Sequence, residues 1–341
     1  MKLCLNHPPY RTFSWCILAL WAASASLGAV ERLPENQRRN GETTLEAFAK
    51  SSEASLASTV QLVRNGRPLA LGTIVSKKGQ VLTKASVCIG AHTAILANGK
   101  SYPVRMRRRD KDTDLALLQL KGAKDLTPVK WAKDEKLGEG SWLVSADPEL
   151  KKLKVGVVGA KTRPIDRVGG VIGVILGPHG EEVGGVVVTE VVPRSAGAAA
   201  GLKKGDVIVT VEGRKVTLRE KVIEVVGGHD PGDVVRLEVK REERILSFRV
   251  TLGHRSVTFD MFDRNARMSG PVSKRKDNFP MIIQHDVSLP VKAMGGPILN
   301  LDGKALGVNL ARVDRVTTYA LPAKFVREAL EKLRRPKSKS E

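Results

Sequence analysis

Three short segments of the 341-residue sequence combine polar residues with strand-like or glycine-rich motifs that could support hydrolytic chemistry. They are residues 70–87 with Leu82-Thr83-Lys84-Ala85-Ser86, residues 112–120 with Asp114-Leu115-Ala116-Leu117, and residues 283–309 with Gln284-His285-Asp286 and Gly295-Gly296-Pro297. Acyl transfer needs a nucleophile that an adjacent base makes reactive. A hydrolase of this kind would need both groups within these segments. The six histidines show no metal-ligand spacing, and we predict neither a metal site nor a cofactor.

In order and spacing, these segments resemble the trypsin-like serine proteases of the HtrA/Deg type, across about residues 43–333. The resemblance implies a mainly β fold in which two six-stranded barrels flank a catalytic groove. It also implies a role for single positions. The family's histidine falls at Ser86, its aspartate at Asp114, its nucleophilic serine at Met294, and a glycine of its oxyanion loop at Lys292.

Two of the three triad positions carry side chains that cannot perform the family's chemistry. The thioether of Met294 has no proton to lose and cannot form an acyl-enzyme, and the hydroxyl of Ser86 is no base at neutral pH. Loss of triad members lowers kcat by about 10⁴- to 10⁶-fold. We therefore expect a proteolytically inactive homologue that binds peptides or unfolded protein segments.

A rearranged active site is the first alternative. His92 and His285 are the histidines nearest to these motifs, and His285 directly precedes Asp286. Ser288 lies in the same loop but lacks the Gly-Gly-Pro turn that follows the family's nucleophile. An active serine-endopeptidase-like hydrolase with other catalytic residues therefore stays open.

A different unit interrupts the protease-like sequence. Residues 168–253 resemble a PDZ domain of the same proteases, on Val171-Ile172-Gly173-Val174, the run from Thr189 to Asp206, and Pro231-Gly232-Asp233. An apolar-Gly-apolar turn before an exposed strand presents N–H groups to a peptide's C-terminal carboxylate, and the peptide then adds as a β-strand. The predicted peptide-binding residues are Ile172, Gly173, Val174 and Ile175 on the turn and strand, with Leu218, Val222 and Val225 on a facing helix. For Val222, a pocket position and a core position are equally compatible with the pattern.

The remaining segments complete the predicted organisation. Residues 43–165 would form the first barrel and begin the second, 254–279 would be a basic linker, and 280–333 would finish the second barrel with a C-terminal helix. The PDZ-like unit thus lies inside the second barrel, whereas in the family it follows the protease unit. Insertion is physically acceptable because domain termini usually lie close together.

The N-terminus predicts export. Residues 1–29 contain only two charges, an apolar stretch from Phe13 to Ala23, and small residues suited to cleavage, which is the pattern of a signal peptide. We expect a periplasmic or extracellular protein, and an uncleaved segment that anchors it stays open. Cleavage would leave Cys88 as the one cysteine, so no internal disulfide is expected.

The formal net charge of +21 calls for an anionic partner or surface. Export argues against nucleic acid, so a basic adaptor for anionic envelope surfaces is the second alternative. The basic runs Arg105–Lys111 and Arg264–Lys276 are its candidate contacts, and the first is expected to be largely a solvated loop. Assembly into homo-oligomers, or with protease homologues, is also open.

Overall fold

The computed structural model of the protein describes residues 34–38, 41–133, 137–258 and 268–335. The predicted signal peptide, with Cys4 and Cys16, and residues 259–267 of the predicted linker lie outside this part of the chain. Two closed six-stranded barrels and one open six-stranded sheet contain nearly all of the described strands. The mainly β double barrel expected from the resemblance is therefore confirmed.

The first barrel follows two short helices, α1 at Glu42–Glu46 and α2 at Ala49–Ala57. Its strands are β1 Thr59–Arg64, β2 Arg67–Ile74, β3 Gln80–Lys84, β4 Thr93–Leu96, β5 Ser101–Asp110 and β6 Leu115–Leu120. They close in the order β1-β2-β3-β6-β5-β4. Asn65 and Gly66 join β1 to β2 with φ of 50° and 73°, the left-handed backbone that makes Asn-Gly a hairpin signal.

The strand β5 is longer than the sequence predicts. Arg105–Lys111 was expected to be largely loop, but β5 pairs with β6 as far as Asp110, with a register shift between Met106 and Arg108. The sequence cannot show this, because the backbone groups of these arginines are satisfied by a partner strand whose own residues are apolar.

After the first barrel come β7 at Trp142–Ala146 and β8 at Leu153–Ile165, and then a separate unit. Its elements are β9 Gly170–Val171, β10 Val174–Gly180, β11 Gly185–Val191, α3 Ala196–Ala200, β12 Val207–Val211, β13 Arg214–Lys215, α4 Arg219–Gly227, β14 Val234–Arg241, β15 Arg244–Thr251, β16 Gly253–His254 and α5 Arg255–Thr258. The main sheet has the order β10-β11-β12-β14-β15, so β10 and β15 are its edges, and β13 pairs with β12.

The chain enters and leaves this unit through one short ribbon. Strand β9 pairs antiparallel with β16, with Val171 opposite Gly253 and Gly170 opposite His254. The apolar side chains of the unit form a core of their own, which includes Val188, Leu237 and Val250. Neighbouring entry and exit strands and a separate core are what an inserted domain requires.

The second barrel is completed by β17 Phe279–His285, β18 Pro297–Leu299, β19 Ala305–Arg312 and β20 Thr318–Pro322, followed by α6 Ala323–Arg334. Its strand order is β17-β20-β19-β18-β7-β8, so it combines strands from both sides of the inserted unit. Helix α6 buries Val326, Leu330 and Leu333 in a cluster that also holds Leu117 of the first barrel and Leu310 of the second. The helix therefore fixes the two barrels against each other.

No helix among the described residues is long and apolar enough to cross a membrane.

Candidate functional site

The histidine and aspartate positions lie in direct contact at the end of β3. Ser86 donates its backbone N–H to Asp114 Oδ1 at 2.9 Å and its hydroxyl to Asp114 Oδ2 at 2.8 Å. Asp114 adopts a φ of 54°, a left-handed conformation that aspartate tolerates better than most residues, and its carbonyl accepts the Ala85 N–H at 2.7 Å. Serine thus satisfies the carboxylate that would orient a histidine in an active triad.

A residue outside the predicted site completes this cluster. The ammonium of Lys84 lies 2.7 Å from Asp114 Oδ2, and both side chains are almost fully buried. Burial lowers the pKa of Lys84 from its usual value, while Asp114 opposes the shift because it stabilises the ammonium. The carboxylate therefore already has a positive partner inside the protein.

The nucleophile position has become part of the hydrophobic core. Met294 has no exposed surface and packs in a cluster with Leu71, Leu143 and Ile298. Its backbone N–H donates to the Val291 carbonyl at 3.1 Å and closes a 3₁₀ turn over Val291–Ala293. That amide is therefore not directed outward, as an oxyanion donor would have to be.

The turn around Met294 retains its tight approach to the first barrel. Gly295 has a φ of 93°, and a Cβ placed there would lie 2.2 Å from the Leu71 carbonyl oxygen and 2.3 Å from Thr83 Oγ1. The Lys292 side chain, at the oxyanion-loop position, pairs with Glu149 at the surface with an Nζ–Oε1 distance of 2.8 Å. The three triad positions thus converge between the barrels without forming catalytic contacts.

The alternative catalytic residues are held in other contacts. His285 is fully buried, with Nε2 2.9 Å from Asn309 Oδ1 and Nδ1 accepting the Val287 N–H at 3.3 Å. Asn309 in turn donates to Ser145 Oγ at 3.0 Å. His92 lies in an exposed contact with Asn65 on the first barrel.

The predicted carboxylate-binding turn lies at the start of the edge strand β10. Gly173 has a φ of 79°, and its carbonyl accepts the Val192 N–H at 3.0 Å and the Ser195 hydroxyl at 3.1 Å. Within the described part of the chain, the backbone N–H groups of Ile172 and Gly173 donate no hydrogen bond. The turn is therefore held through its carbonyl, and the side chain of Thr258 lies beside Gly173.

The helix predicted to face this turn contributes to both core and surface. Helix α4 packs against β9, β10 and β12. Val222 and Val225 belong to the core of the unit together with Ile172, whereas Leu218, at the helix N-cap, is about half exposed. Sequence reasoning missed Ile223, which is 57% exposed on the same helix. Because Ile223 directly follows Val222, it lies on a different face of the helix, and this could have been predicted.

The basic run on β5 is divided between different environments. Arg105 lies opposite Gln119, and Arg109 lies opposite Ala116 on the other face of the strand pair. Arg108 donates to the Arg335 carbonyl at 2.6 Å, so it ties β5 to the end of α6. The anionic-surface alternative stays a prediction that this arrangement does not favour.

Comparison with known proteins shows what the inserted unit and the rest of the chain are similar to. Residues 156–252 match the family model described as PDZ domain. The probable periplasmic serine protease do/HhoA-like of Haemophilus influenzae is 25% identical, with 45% of this chain and 51% of that protein covered. A probable periplasmic serine endoprotease DegP-like of Pseudomonas putida is 23% identical, with 56% and 57% covered.

Other matches are shorter or more distant. The magnetosome formation protease MamE of Paramagnetospirillum magneticum is 34% identical over 29% of this chain and 13% of its own length. The crystal structure of the serine endoprotease from Yersinia pestis aligns with 17% identity and a TM-score of 0.30, covering 60% of this chain and 97% of that one. The chain spans about half the length of the curated relatives it matches. It contains a PDZ domain, and it is a homologue of the HtrA/DegP-type serine proteases.

Proposed function

We propose that the protein binds the C-termini of peptides or unfolded segments through its PDZ domain and does not hydrolyse them. The observation that carries the binding proposal is the pair of unpartnered N–H groups of Ile172 and Gly173, counted among the described residues, beside the edge strand β10. A carboxylate is the acceptor that such paired donors favour, and the edge strand lets the rest of the peptide add as a strand.

Three features support the absence of proteolysis. The Met294 side chain cannot become a nucleophile and is fully buried, its amide is used within a turn, and the Ser86 hydroxyl is committed to Asp114. At the triad positions, the described residues therefore provide no histidine beside a nucleophile, which is the pair that the family's acyl transfer uses. The buried contacts of His285 argue against the rearranged hydrolase.

The names of the relatives support the proposed location. Proteins of Haemophilus influenzae and Pseudomonas putida that match this chain are described as periplasmic. Together with the signal-peptide pattern of residues 1–29, this supports export.

Peptide binding is tested with a fluorescent library of unstructured peptides, each made with a free and with an amidated C-terminus. We expect saturable binding of the acids and at least tenfold weaker binding of the amides, since the amide lacks the charge that the turn would accept. Equal binding of the two forms would refute carboxylate recognition.

A pair of variants locates the binding surface. Leu218→Ala should weaken binding of the free acid by about tenfold, because an exposed apolar side chain at the end of α4 would be buried by the peptide. Ile245→Ala is the matched control, since Ile245 is similarly exposed but lies on the opposite edge strand β15. If the control weakened binding as much as Leu218→Ala, the site would have to lie elsewhere.

The absence of hydrolysis is tested with unfolded casein as substrate. We expect the wild-type protein and Met294→Ala to release peptides at the same background rate. Met294→Ser should stay at that rate too, because Ser86 supplies no base for the new hydroxyl. Turnover by the wild type well above Met294→Ala would contradict the proposal.

A further inference from the structure

One edge of strand β19 continues past the end of strand β18, next to the Met294 turn. Strand β18 covers β19 only as far as Val308, and Asn309 then exchanges hydrogen bonds with Gly295 and Gly296. Beyond Asn309 the same edge continues to Arg312 without a strand partner among the described elements. A strand edge without a strand partner is a site to which an extended chain can add.

A segment of this chain occupies that edge. The segment Ser269–Asn278, here named the strap, precedes β17. Ser273 donates its N–H to the Arg312 carbonyl at 2.9 Å, and Ser273 Oγ accepts the Arg312 N–H at 3.0 Å. Ser273 is fully buried there, so the contact is part of the packed structure.

Side chains strengthen the attachment of the strap to the second barrel. The Arg312 guanidinium donates to the Ser269 carbonyl at 2.6 Å and to the Leu289 carbonyl at 2.9 Å. Leu289 belongs to the loop that leads into the Met294 turn. Lys276 Nζ lies 3.4 Å from the Val313 carbonyl.

The strap is also attached to the first barrel. Arg275 donates to the carbonyls of Lys111 and Asp112, the latter at 2.8 Å, in the loop that precedes Asp114. Its own carbonyl lies 3.5 Å from Lys84 Nζ, the partner of Asp114. Its guanidinium stacks over Phe279, 5.2 Å from the ring centroid. The strap therefore contacts both barrels, on the first barrel beside Lys84 and on the second at Arg312.

From these contacts we infer that the strap is a built-in peptide ligand of the β19 edge, which it keeps closed to other extended chains. Ser273 takes the place of a residue of the incoming strand, because it pairs with both backbone groups of Arg312. As an intramolecular ligand, the strap acts at a high effective concentration and needs only modest affinity. The inference concerns a site remote from the PDZ turn and does not depend on peptide binding there.

Hydrogen exchange in the full-length protein tests the strand contact. Ser273→Ala removes the acceptor of the Arg312 N–H, and we expect exchange of that amide to accelerate about tenfold. Cleavage by trypsin after Lys274, Arg275 and Lys276 should accelerate as well. Ser288→Ala is the control, since Ser288 is exposed in the adjacent loop, and it should leave both rates unchanged. Unchanged exchange at Arg312 in Ser273→Ala would overturn the inference.

Occupancy of the β19 edge is tested with a fluorescein-labelled, C-terminally amidated peptide of the sequence Ser269–Asn278. The amide keeps the probe out of carboxylate recognition by the PDZ domain. We expect no binding to the wild type and saturable binding to Ser273→Pro/Arg275→Ala, in which the strap loses its anchors on both barrels. Ser273→Ala, the milder variant, should bind the peptide with intermediate affinity if the doubly substituted protein does not fold. Equal binding to wild type and variants, or binding to none of them, would refute the inference.

Discussion

The buried ammonium of Lys84 supplies the positive partner that Asp114 lacks without a histidine. Two charges buried together are stable only when each compensates the desolvation of the other. The side chains of Lys84 and Asp114 are only 1% and 5% exposed. The backbone N–H of Ser86 donates to the other carboxylate oxygen, Oδ1. At the position that matches the family's aspartate, this chain therefore holds a buried ion pair.

This pair predicts a large stability effect for single substitutions. Lys84→Met should lower the free energy of unfolding by about 3–5 kcal/mol, because it leaves the Asp114 carboxylate buried without its ammonium. Lys84→Met/Asp114→Asn should recover most of that loss. Urea unfolding at pH 7 measures both.

The surface pair Lys292–Glu149 provides the control for this cycle. Both side chains are about half exposed, so Lys292→Met should cost less than about 1 kcal/mol. A similar cost for Lys84→Met and Lys292→Met would show that the buried pair is not special.

Single-residue roles could be predicted only where a short motif fixes them. Asp114 and Met294 follow from the Asp-Leu-Ala-Leu and Gly-Gly-Pro motifs, and both are buried in the structure. Lys84 could not be predicted as their neighbour, because a lysine at the end of a strand is normally exposed. Its burial depends on Phe279 and Arg275, which lie about 190 residues away in sequence.

Among the elements, the hairpins of the first barrel were the most predictable and β5 was among the least. Asn-Gly turns fix the register locally, because few other residue pairs adopt the required backbone. The arginines of β5 carry no such signal, and their strand conformation depends on pairing with β6. For α4, the helical spacing predicted the element, and the fold decided that Val222 is core.

In the PDZ sheet, an ion pair at the end of β14 predicts a pH dependence. Asp206 accepts hydrogen bonds from Arg241 at 2.7 and 2.9 Å and from the Lys203 N–H at 2.8 Å. Burial alone would raise the pKa of Asp206, but these bonds outweigh it and the pKa lies below its usual value. The stabilisation is therefore fully present above about pH 4, the unfolded pKa, and is lost as the pH falls through the folded pKa.

Asp206→Asn tests this dependence. We expect the variant to lose about 1.5–3 kcal/mol at pH 7, since it removes charge-assisted hydrogen bonds, and to differ less from the wild type at pH 3. Urea unfolding monitored within the PDZ domain at the two pH values measures the difference. A constant difference across pH would mean that the carboxylate charge is not responsible.

At the scale of the whole molecule, two folding units share one chain in an interrupted order. In the sequence, the strands of the second barrel come partly before and partly after the PDZ domain. Helix α6 follows all of them and packs against both barrels. Since β9 and β16 are paired, the two connections to the PDZ domain are about 5 Å apart. For the second barrel, the PDZ domain is therefore an insertion between two neighbouring strands, at the place where a hairpin loop would connect them.

Excision of the insertion follows as a prediction. Replacing residues 172–252 with Asn-Gly should leave the barrels folded, because a two-residue turn can join β9 to β16. The separate fragment 169–254 should fold as well, since its core is self-contained. Calorimetry should give one transition for each product, at the temperatures of two transitions in the intact protein. An excised protein that does not fold would mean that the PDZ domain is required by the barrel.

The burial of Met294 also limits which side chains position 294 can hold. A serine at position 294 would empty a packed volume and place a hydroxyl in it, at a cost of about 2–5 kcal/mol out of a typical total stability of about 5–15 kcal/mol. The fold therefore favours a large apolar side chain at position 294, whatever that side chain contributes to function.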